Sequence, residues 1–137
     1  MKNYCIAVFL TVLVSGANPF YLQNRQTDVI SGTWRGSSIC QDKSSACHDE
    51  IAVYHASKAA GQNVYLFQMN KMVNGQETEM GPLNFVYNDT LKTLTAIDNF
   101  RGTKHTWSFK INGTTMHGTL TLDNARVFRV IDLKKDS

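Results

Sequence analysis

The feature that most constrains this chain is an alternation of apolar and polar residues that begins at Val29 and is interrupted by turn residues at short intervals. Trp107, Phe109 and Ile111, for example, alternate with threonine, serine and lysine. A period of two residues is typical of a β-strand with one buried face. No stretch after Val29 has the period of a helix. The chain is therefore predicted to be all-β.

Two strong turn signals divide the alternating stretches into hairpins. Asn74-Gly75 and Asn112-Gly113 favour two-residue hairpin turns because both residue types tolerate positive φ. Pro82 predicts an edge, a bulge or a bend within the fourth strand. Short connections join all the strands, which indicates an antiparallel up-and-down meander. The eight strands are predicted at residues 30–40, 50–57, 63–73, 78–87, 93–98, 105–111, 115–122 and 126–133.

Eight antiparallel strands can remove their edges by closing into a barrel. The alternative is a two-sheet sandwich, which more often has a long Greek-key connection. The sequence contains no such connection, and we therefore expect a closed barrel over residues 29–137.

The N-terminus has the layout of a signal peptide. A charged start at Lys2 precedes an almost unbroken apolar run over the eleven residues 4–14, and Ser15-Gly16-Ala17 supplies small residues for cleavage. The run is too short to span a bilayer, which needs about 20 residues. We predict a signal peptide at residues 1–17 and an N-terminal arm at 18–28, with a buried N-terminal strand or helix as the alternative.

Removal of the signal peptide changes the cysteine count from three to two, because Cys5 leaves with it. Cys40 and Cys47 remain, in a compartment that oxidises thiols, so we predict a disulfide between them. The alternative is a metal pair supplemented by His48 and Asp49. Neighbouring side chains on an extended chain rarely converge on one ion, and no metal site is predicted.

The segment Gly32-Thr33-Trp34 resembles the Gly-x-Trp signature on the first strand of the calycin superfamily, which includes lipocalins, fatty-acid-binding proteins and avidins. In that superfamily the Trp closes one end of the barrel, and an Arg near the end of the last strand packs across it. The resemblance therefore implies structural roles for Gly32 and Trp34. It also implies that Arg129, or as second choice Arg126, stacks on the Trp34 ring by a cation–π contact.

A longer pattern is similar to a group of small bacterial exported proteins described as lipocalin-like. This resemblance covers most of the chain after the signal peptide and implies a fold and a compartment. It implies no established activity. The matching blocks are residues 32–40, 47–50, 73–75, 80–81 and 116–120.

Seven large side chains are expected inside the barrel, where they are candidates to bind a ligand. An eight-stranded barrel is just wide enough for its own side chains or for one small ligand, so the alternative is that they fill the interior. These candidates are Trp34, Tyr54, Phe67, Met69, Phe85, Trp107 and Met116.

The densest polar cluster is His48-Asp49-Glu50, which could form an acid–base set at the barrel mouth or simply a hydrated turn. No nucleophile or phosphate-binding motif accompanies it, so we expect no enzyme and no cofactor. His55 shares a side with Ile51 and Val53 and is placed in the interior, where haem binding is a minor alternative. The net charge of +3 is too small to indicate nucleic acid.

These features predict an exported, periplasmic or extracellular, non-catalytic binding protein for a small apolar or amphipathic ligand. They predict no membrane span after the signal peptide. The alternative is a protein-binding module such as an inhibitor of a secreted hydrolase, suggested by the arm with Pro19, Phe20 and Tyr21. An enzyme that uses His48, Asp49 and Glu50 is a third and weaker hypothesis.

Overall fold

The computed structural model describes residues 28–44, 46–123 and 126–137. The predicted signal peptide, and the predicted arm except for Asp28, lie outside these ranges. All regular structure in the described residues is β-strand, and every strand begins and ends within two residues of its predicted bounds. The strands are β1 (Gly32–Cys40), β2 (Glu50–Lys58), β3 (Val64–Val73), β4 (Gln76–Asn88), β5 (Thr93–Phe100), β6 (Thr103–Asn112), β7 (Thr115–Leu122) and β8 (Arg126–Lys135).

The eight strands form a closed barrel in sequence order, and β1 pairs antiparallel with both β2 and β8. The predicted eight-stranded up-and-down barrel is therefore confirmed. Closure between the first and last strands excludes the sandwich. Within the described ranges no helix is long and apolar enough to cross a membrane.

The meander gives the barrel two distinct ends. The end that holds the β1–β2 loop, here called the disulfide end, also holds the β3–β4, β5–β6 and β7–β8 turns. The other end, here called the Trp34 end, holds the β2–β3, β4–β5 and β6–β7 turns. Asn74 and Gly75 adopt φ of 52° and 77°, as the hairpin signal predicts.

Aromatic side chains fill the barrel interior. The Phe85 ring lies 4.7 Å from the Phe67 ring and 5.7 Å from the Phe109 ring, measured between centroids. Offset or tilted ring pairs at such distances are favourable beyond the apolar area that they bury. The largest side chains that are almost wholly inaccessible to solvent include Trp34, Tyr54, Phe67, Phe85, Phe109 and Met116.

The barrel is so tightly curved that two glycines are required where neighbouring backbones approach each other. A Cβ at Gly36 on β1 would lie 1.9 Å from the carbonyl oxygen of Asp132 on β8. A Cβ at Gly118 on β7 would lie 2.2 Å from the carbonyl oxygen of Ser108 on β6. No side chain fits at either position unless the strands move apart.

Strands β4 and β5 are joined by a much shorter ladder than the other neighbours. Only three residue pairs connect them, between Val86–Asn88 and 93–95, whereas the other ladders contain seven to ten. The β3–β4 register shifts opposite Gly81, whose φ is +122°, and Pro82 follows it. This irregularity agrees with the bend predicted from Pro82. Away from the three pairs, β4 and β5 separate and leave a cleft.

Candidate functional site

The cleft between β4 and β5 opens towards the disulfide end and has a volume of about 130 Å³. Its wall on one side is apolar and comes from β3 and β4. The other wall comes from β5 and β6 and carries polar atoms. The residues that line the cleft are Met69, Met80, Gly81, Pro82, Leu83, Asp98 and Trp107.

Two buried polar atoms on the wall of the cleft lack hydrogen bonds to the described residues. These atoms are Trp107 Nε1 and Asp98 Oδ1. Asp98 Oδ1 lies 3.0 Å from His105 Nδ1, but this contact does not have the geometry of a hydrogen bond. A buried donor without an acceptor costs about 1–3 kcal/mol. Trp107 Nε1 is therefore a donor that a ligand in the cleft could satisfy.

The apolar side of the cleft suits ligands of irregular shape. Met69 is buried at the inner end, and Met80 is 45% exposed at the outer lip. Leu83 and Trp107 are partly buried against the core. Methionine is flexible and polarisable, so it adapts to different apolar surfaces. The cleft thus joins an adaptable apolar wall to one unsatisfied donor.

The interior at the disulfide end is occupied by charged groups that bind one another. Arg129 Nη1 donates hydrogen bonds to Ser38 O and Oγ, both at 3.2 Å, and to His48 O at 3.1 Å. Glu50 lies 3.5 Å from Arg129 and accepts a hydrogen bond from Lys71 Nζ at 2.9 Å. These contacts tie β1, β2, β3 and β8 together and close this end around the barrel axis. The cleft therefore opens through the side of the barrel, between β4 and β5.

Six of the seven predicted interior candidates are at least 96% buried, and Trp107 is partly buried. Only Met69 and Trp107 line the cleft. The other five pack within the core, so they shape the barrel, and a ligand role for any of the seven stays a prediction. These five are Trp34, Tyr54, Phe67, Phe85 and Met116.

The prediction that Arg129 or Arg126 stacks on Trp34 is wrong. Lys135 Nζ lies 5.6 Å from the centre of the Trp34 ring, and Trp34 Nε1 donates a hydrogen bond to Ile30 O at 2.8 Å. The β1–β8 register explains the difference, because it pairs Trp34 with Lys135 and Cys40 with Arg129. Arg129 and Arg126 therefore both lie at the disulfide end, away from the Trp34 ring.

The interior placement of His55 is also wrong. Tyr54 points inwards, so His55, the next residue, points outwards. Its ring contacts Thr33 Oγ1 at 3.0 Å and Glu77 Oε2 at 2.8 Å on the outer surface.

The His48-Asp49-Glu50 segment does not assemble as an acid–base set. Asp49 accepts a hydrogen bond from the Cys40 N–H at 2.9 Å, whereas Glu50 binds Lys71 inside the barrel. The predicted disulfide between Cys40 and Cys47 is confirmed. In the described part of the chain, no three His, Cys, Asp or Glu side chains lie close enough together to hold a metal ion.

Sequence analysis missed Asp98 and the cleft that it lines. In the sequence, Asp98 is the polar end of a predicted strand. The residues around it do not indicate that the pairing of β4 with β5 ends before Asp98. The one available signal was Gly81-Pro82, which indicates an irregular strand where the cleft forms.

No protein-family model matches the chain, and no curated protein sequence matches it. Among solved structures, the chain is similar to a point mutant of the fluorescent protein UnaG, with a TM-score of 0.49 and 14% sequence identity. The match covers 78% of this chain and 96% of that chain. So distant a likeness carries no argument about function, and the assignment of the fold rests on the strand order and closure described above.

Proposed function

We propose that this protein is an exported, non-catalytic binding protein that holds a small, partly apolar ligand in the cleft between β4 and β5. The observation that carries the proposal is the buried N–H of Trp107, which lacks an acceptor and lies on the wall of a largely apolar cleft. Buried donors in folded proteins nearly always have partners, and an acceptor on a ligand bound in the cleft would provide one for Trp107.

The cleft limits the size and chemistry of the ligand. Its volume of about 130 Å³ is near that of an engineered cavity, about 150 Å³, that holds benzene. One ring or a short chain therefore fits inside, and a larger ligand would extend into solvent. The ligand should also provide a hydrogen-bond acceptor for Trp107 Nε1 and a donor for Asp98 Oδ1. A hydroxyl group attached to an apolar body supplies both.

Binding accounts for the cleft better than catalysis does. Asp98 is the only ionisable residue among the described residues that line the cleft, and it contacts His105 at 3.0 Å. The side chains that line the cleft include no serine, threonine, cysteine or lysine that could act as a nucleophile.

Export to the periplasm or the extracellular space is part of the same proposal. The Cys40–Cys47 disulfide supports it, because such bonds persist in oxidising compartments. The resemblance to small bacterial exported lipocalin-like proteins and the layout of residues 1–17 support it further. Protein recovered from outside the cytoplasm is expected to begin at Asn18 by mass spectrometry. Retention of Met1 in that fraction would contradict cleavage.

Titration with 4-fluorophenol, followed by ¹⁹F NMR, tests the cleft. We expect saturable binding, with fluorobenzene binding more weakly because it lacks the hydroxyl group. Trp107→Phe keeps an aromatic wall but removes the N–H, and it should weaken binding about tenfold, the value of one hydrogen bond. Phe100→Leu, at an exposed aromatic residue outside the cleft, is the matched control. Equal affinity in the Trp107→Phe variant would refute the site.

A protein-binding module, such as an inhibitor of a secreted hydrolase, is the second candidate function. The observation that favours it is the filled barrel interior, which leaves no central cavity among the described residues for a large ligand. Deleting residues 18–27 should abolish inhibition of a secreted protease without lowering the melting temperature. Unchanged inhibition after the deletion would exclude a role for the arm.

A further inference from the structure

A second cavity lies at the Trp34 end of the barrel, opposite the end towards which the β4–β5 cleft opens. Its volume is about 210 Å³, and it is more enclosed than the cleft. Two tyrosines form its inner wall, with ring centroids 6.2 Å apart and nearly perpendicular planes. Residues around the cavity include Val29, Lys58, Asn63, Tyr65, Tyr87 and Lys92.

Tyr87 brings a buried hydroxyl group to this cavity. The residue is 96% buried, and its hydroxyl oxygen has no hydrogen-bond partner in the described ranges. Asp89 and Lys92 lie beside the hydroxyl group and act on its pKa through their charges and through weak hydrogen bonding, although neither forms a hydrogen bond of full geometry with it. Burial raises the pKa of Tyr87, so the hydroxyl group keeps its proton and remains a donor.

The carboxylates at the cavity are already bound. Asp28 accepts hydrogen bonds from the N–H groups of Ile30 and Ser31, at 3.1 and 3.0 Å, and from the Ser31 hydroxyl group. Burial alone would raise the pKa of Asp28, but these bonds lower it below its usual value. Asp89 lies 2.7 Å from Lys92 Nζ. Both carboxylates therefore already accept hydrogen bonds within the protein, from neutral groups at Asp28 and from Lys92 at Asp89.

The remaining polar side chains at the cavity all carry a donor group, and the Asn63 amide carries an acceptor as well. Lys58 forms no ion pair with a described residue, and its ammonium lies 5.7 Å from the centre of the Tyr65 ring. The side-chain amide of Asn63 forms no hydrogen bond to the described residues. With the Tyr87 hydroxyl group, the cavity offers one cation and two neutral donors without matching acceptors.

We propose that this cavity is a second binding site, which takes a small organic anion, a carboxylate on a single ring or a short chain. The carboxylate accepts hydrogen bonds from Lys58 Nζ, the Asn63 amide and the Tyr87 hydroxyl group. The apolar body packs against the tyrosine rings. The volume exceeds the roughly 150 Å³ that accommodates benzene, which leaves room for a carboxylate on a ring. This site is separate from the cleft and does not depend on the proposed function.

The test is an NMR titration of the ¹⁵N-labelled protein with benzoate, with benzyl alcohol as the neutral probe. We expect saturable shifts of the amide signals of residues 58–65 and 87–92. Benzyl alcohol should bind at least about tenfold more weakly, because it lacks the charge that Lys58 pairs with. Affinity for benzoate should fall as the salt concentration rises, since a partly exposed ion pair is screened.

Two variants test the named donors. Tyr87→Phe removes a hydroxyl group that forms no hydrogen bond of full geometry with a described residue, so it should fold normally and weaken benzoate binding about five- to tenfold. Lys58→Gln should weaken binding to a similar degree, whereas Lys104→Gln, an exposed lysine on β6, should change nothing.

Three outcomes would overturn the proposal. They are the absence of saturable shifts up to about 50 mM benzoate, equal affinity for benzyl alcohol, and unchanged affinity in both variants. Displacement of 4-fluorophenol by benzoate would also contradict it, because the two sites would then be one.

Discussion

Glu77 on β4 contacts His55 on β2 across the intervening strand β3, with 2.8 Å between Glu77 Oε2 and His55 Nε2. Asn70 on β3 donates to the same oxygen at 3.0 Å, and Arg35 on β1 lies 3.6 Å from the other. One carboxylate therefore connects four consecutive strands on the outer face. Hydrogen bonds from His55 and Asn70 lower the pKa of Glu77 below its usual value.

Replacing Glu77 with Gln is expected to lower the melting temperature in a pH-dependent way. Because the pKa of Glu77 is lowered by folding, its ionised form contributes stability above the unfolded pKa, and this contribution is lost as pH falls through the folded pKa. The difference in melting temperature from the native protein should be full above about pH 5.5, which lies above the unfolded pKa, and should disappear only as pH falls through the lowered pKa of folded Glu77. Circular dichroism melts at several pH values measure it.

The control for this experiment is Glu79→Gln, an exposed carboxylate on the same strand that forms no ion pair with a described residue. If the Glu77→Gln variant lowers the melting temperature by the same amount at every pH, packing and not charge causes the effect.

Reducing the Cys40–Cys47 disulfide is expected to destabilise the barrel. The bond closes a loop between residues separated by seven positions, and the chain-entropy model gives a loss of about 2.5 kcal/mol for such a loop. Urea unfolding with and without reductant measures the loss. The Cys40→Ser, Cys47→Ser double variant should match the reduced protein and show no response to reductant. A response in that variant would show that reductant acts elsewhere.

Replacing Lys135 with Met is expected to lower the free energy of unfolding by about 1 kcal/mol. The substitution keeps the apolar stem but removes the ammonium that lies 5.6 Å from the Trp34 ring centre and donates to Val29 O at 3.1 Å. Lys134→Met, on the outer face of the same strand, is the matched control. Urea unfolding of both variants tests the contact, and equal losses would refute a specific role for Lys135.

Replacing Gly36 with Ala is expected to cost about 3 kcal/mol or more, because the added methyl group would lie 1.9 Å from the carbonyl oxygen of Asp132. Relief requires β1 and β8 to move apart, which disrupts the ladder that closes the barrel. Ser37→Ala, at the next residue on β1, should cost little. Urea unfolding compares the two, and a loss below about 1 kcal/mol at Gly36 would show that the strands separate easily.

Local sequence patterns were sufficient to locate every strand. A two-residue hairpin turn requires positive φ at two successive residues, and Asn74 and Gly75 both tolerate it. This pair therefore indicates a hairpin from local sequence alone. The assignment of faces failed at His55, because Ile51 and Val53 flank it on the outer side of β2. Val53 is fully buried there although Ile51 is 55% exposed. An apolar outer face cannot be told from an inner one by alternation alone.

Contacts between strands distant in sequence were harder to predict. A basic residue does cover Trp34, but the β1–β8 register selects Lys135 and not Arg129, and that register depends on the whole barrel. The cleft, too, depends on how strands pair across the barrel and not on local sequence. Pro82 indicates that β4 is irregular, but it does not show that β4 pairs with β5 over only three residues.

The short β4–β5 ladder gives the cylinder one weak seam. If its three residue pairs break, the barrel unrolls into an open sheet with strand order β5-β6-β7-β8-β1-β2-β3-β4. The first and last strands of the chain then lie in the middle, and β4 and β5 become free borders. Unpaired edge strands can pair with the edge strands of a second molecule. The short β4–β5 ladder that forms the cleft is therefore also the place where domain swapping between two chains would begin.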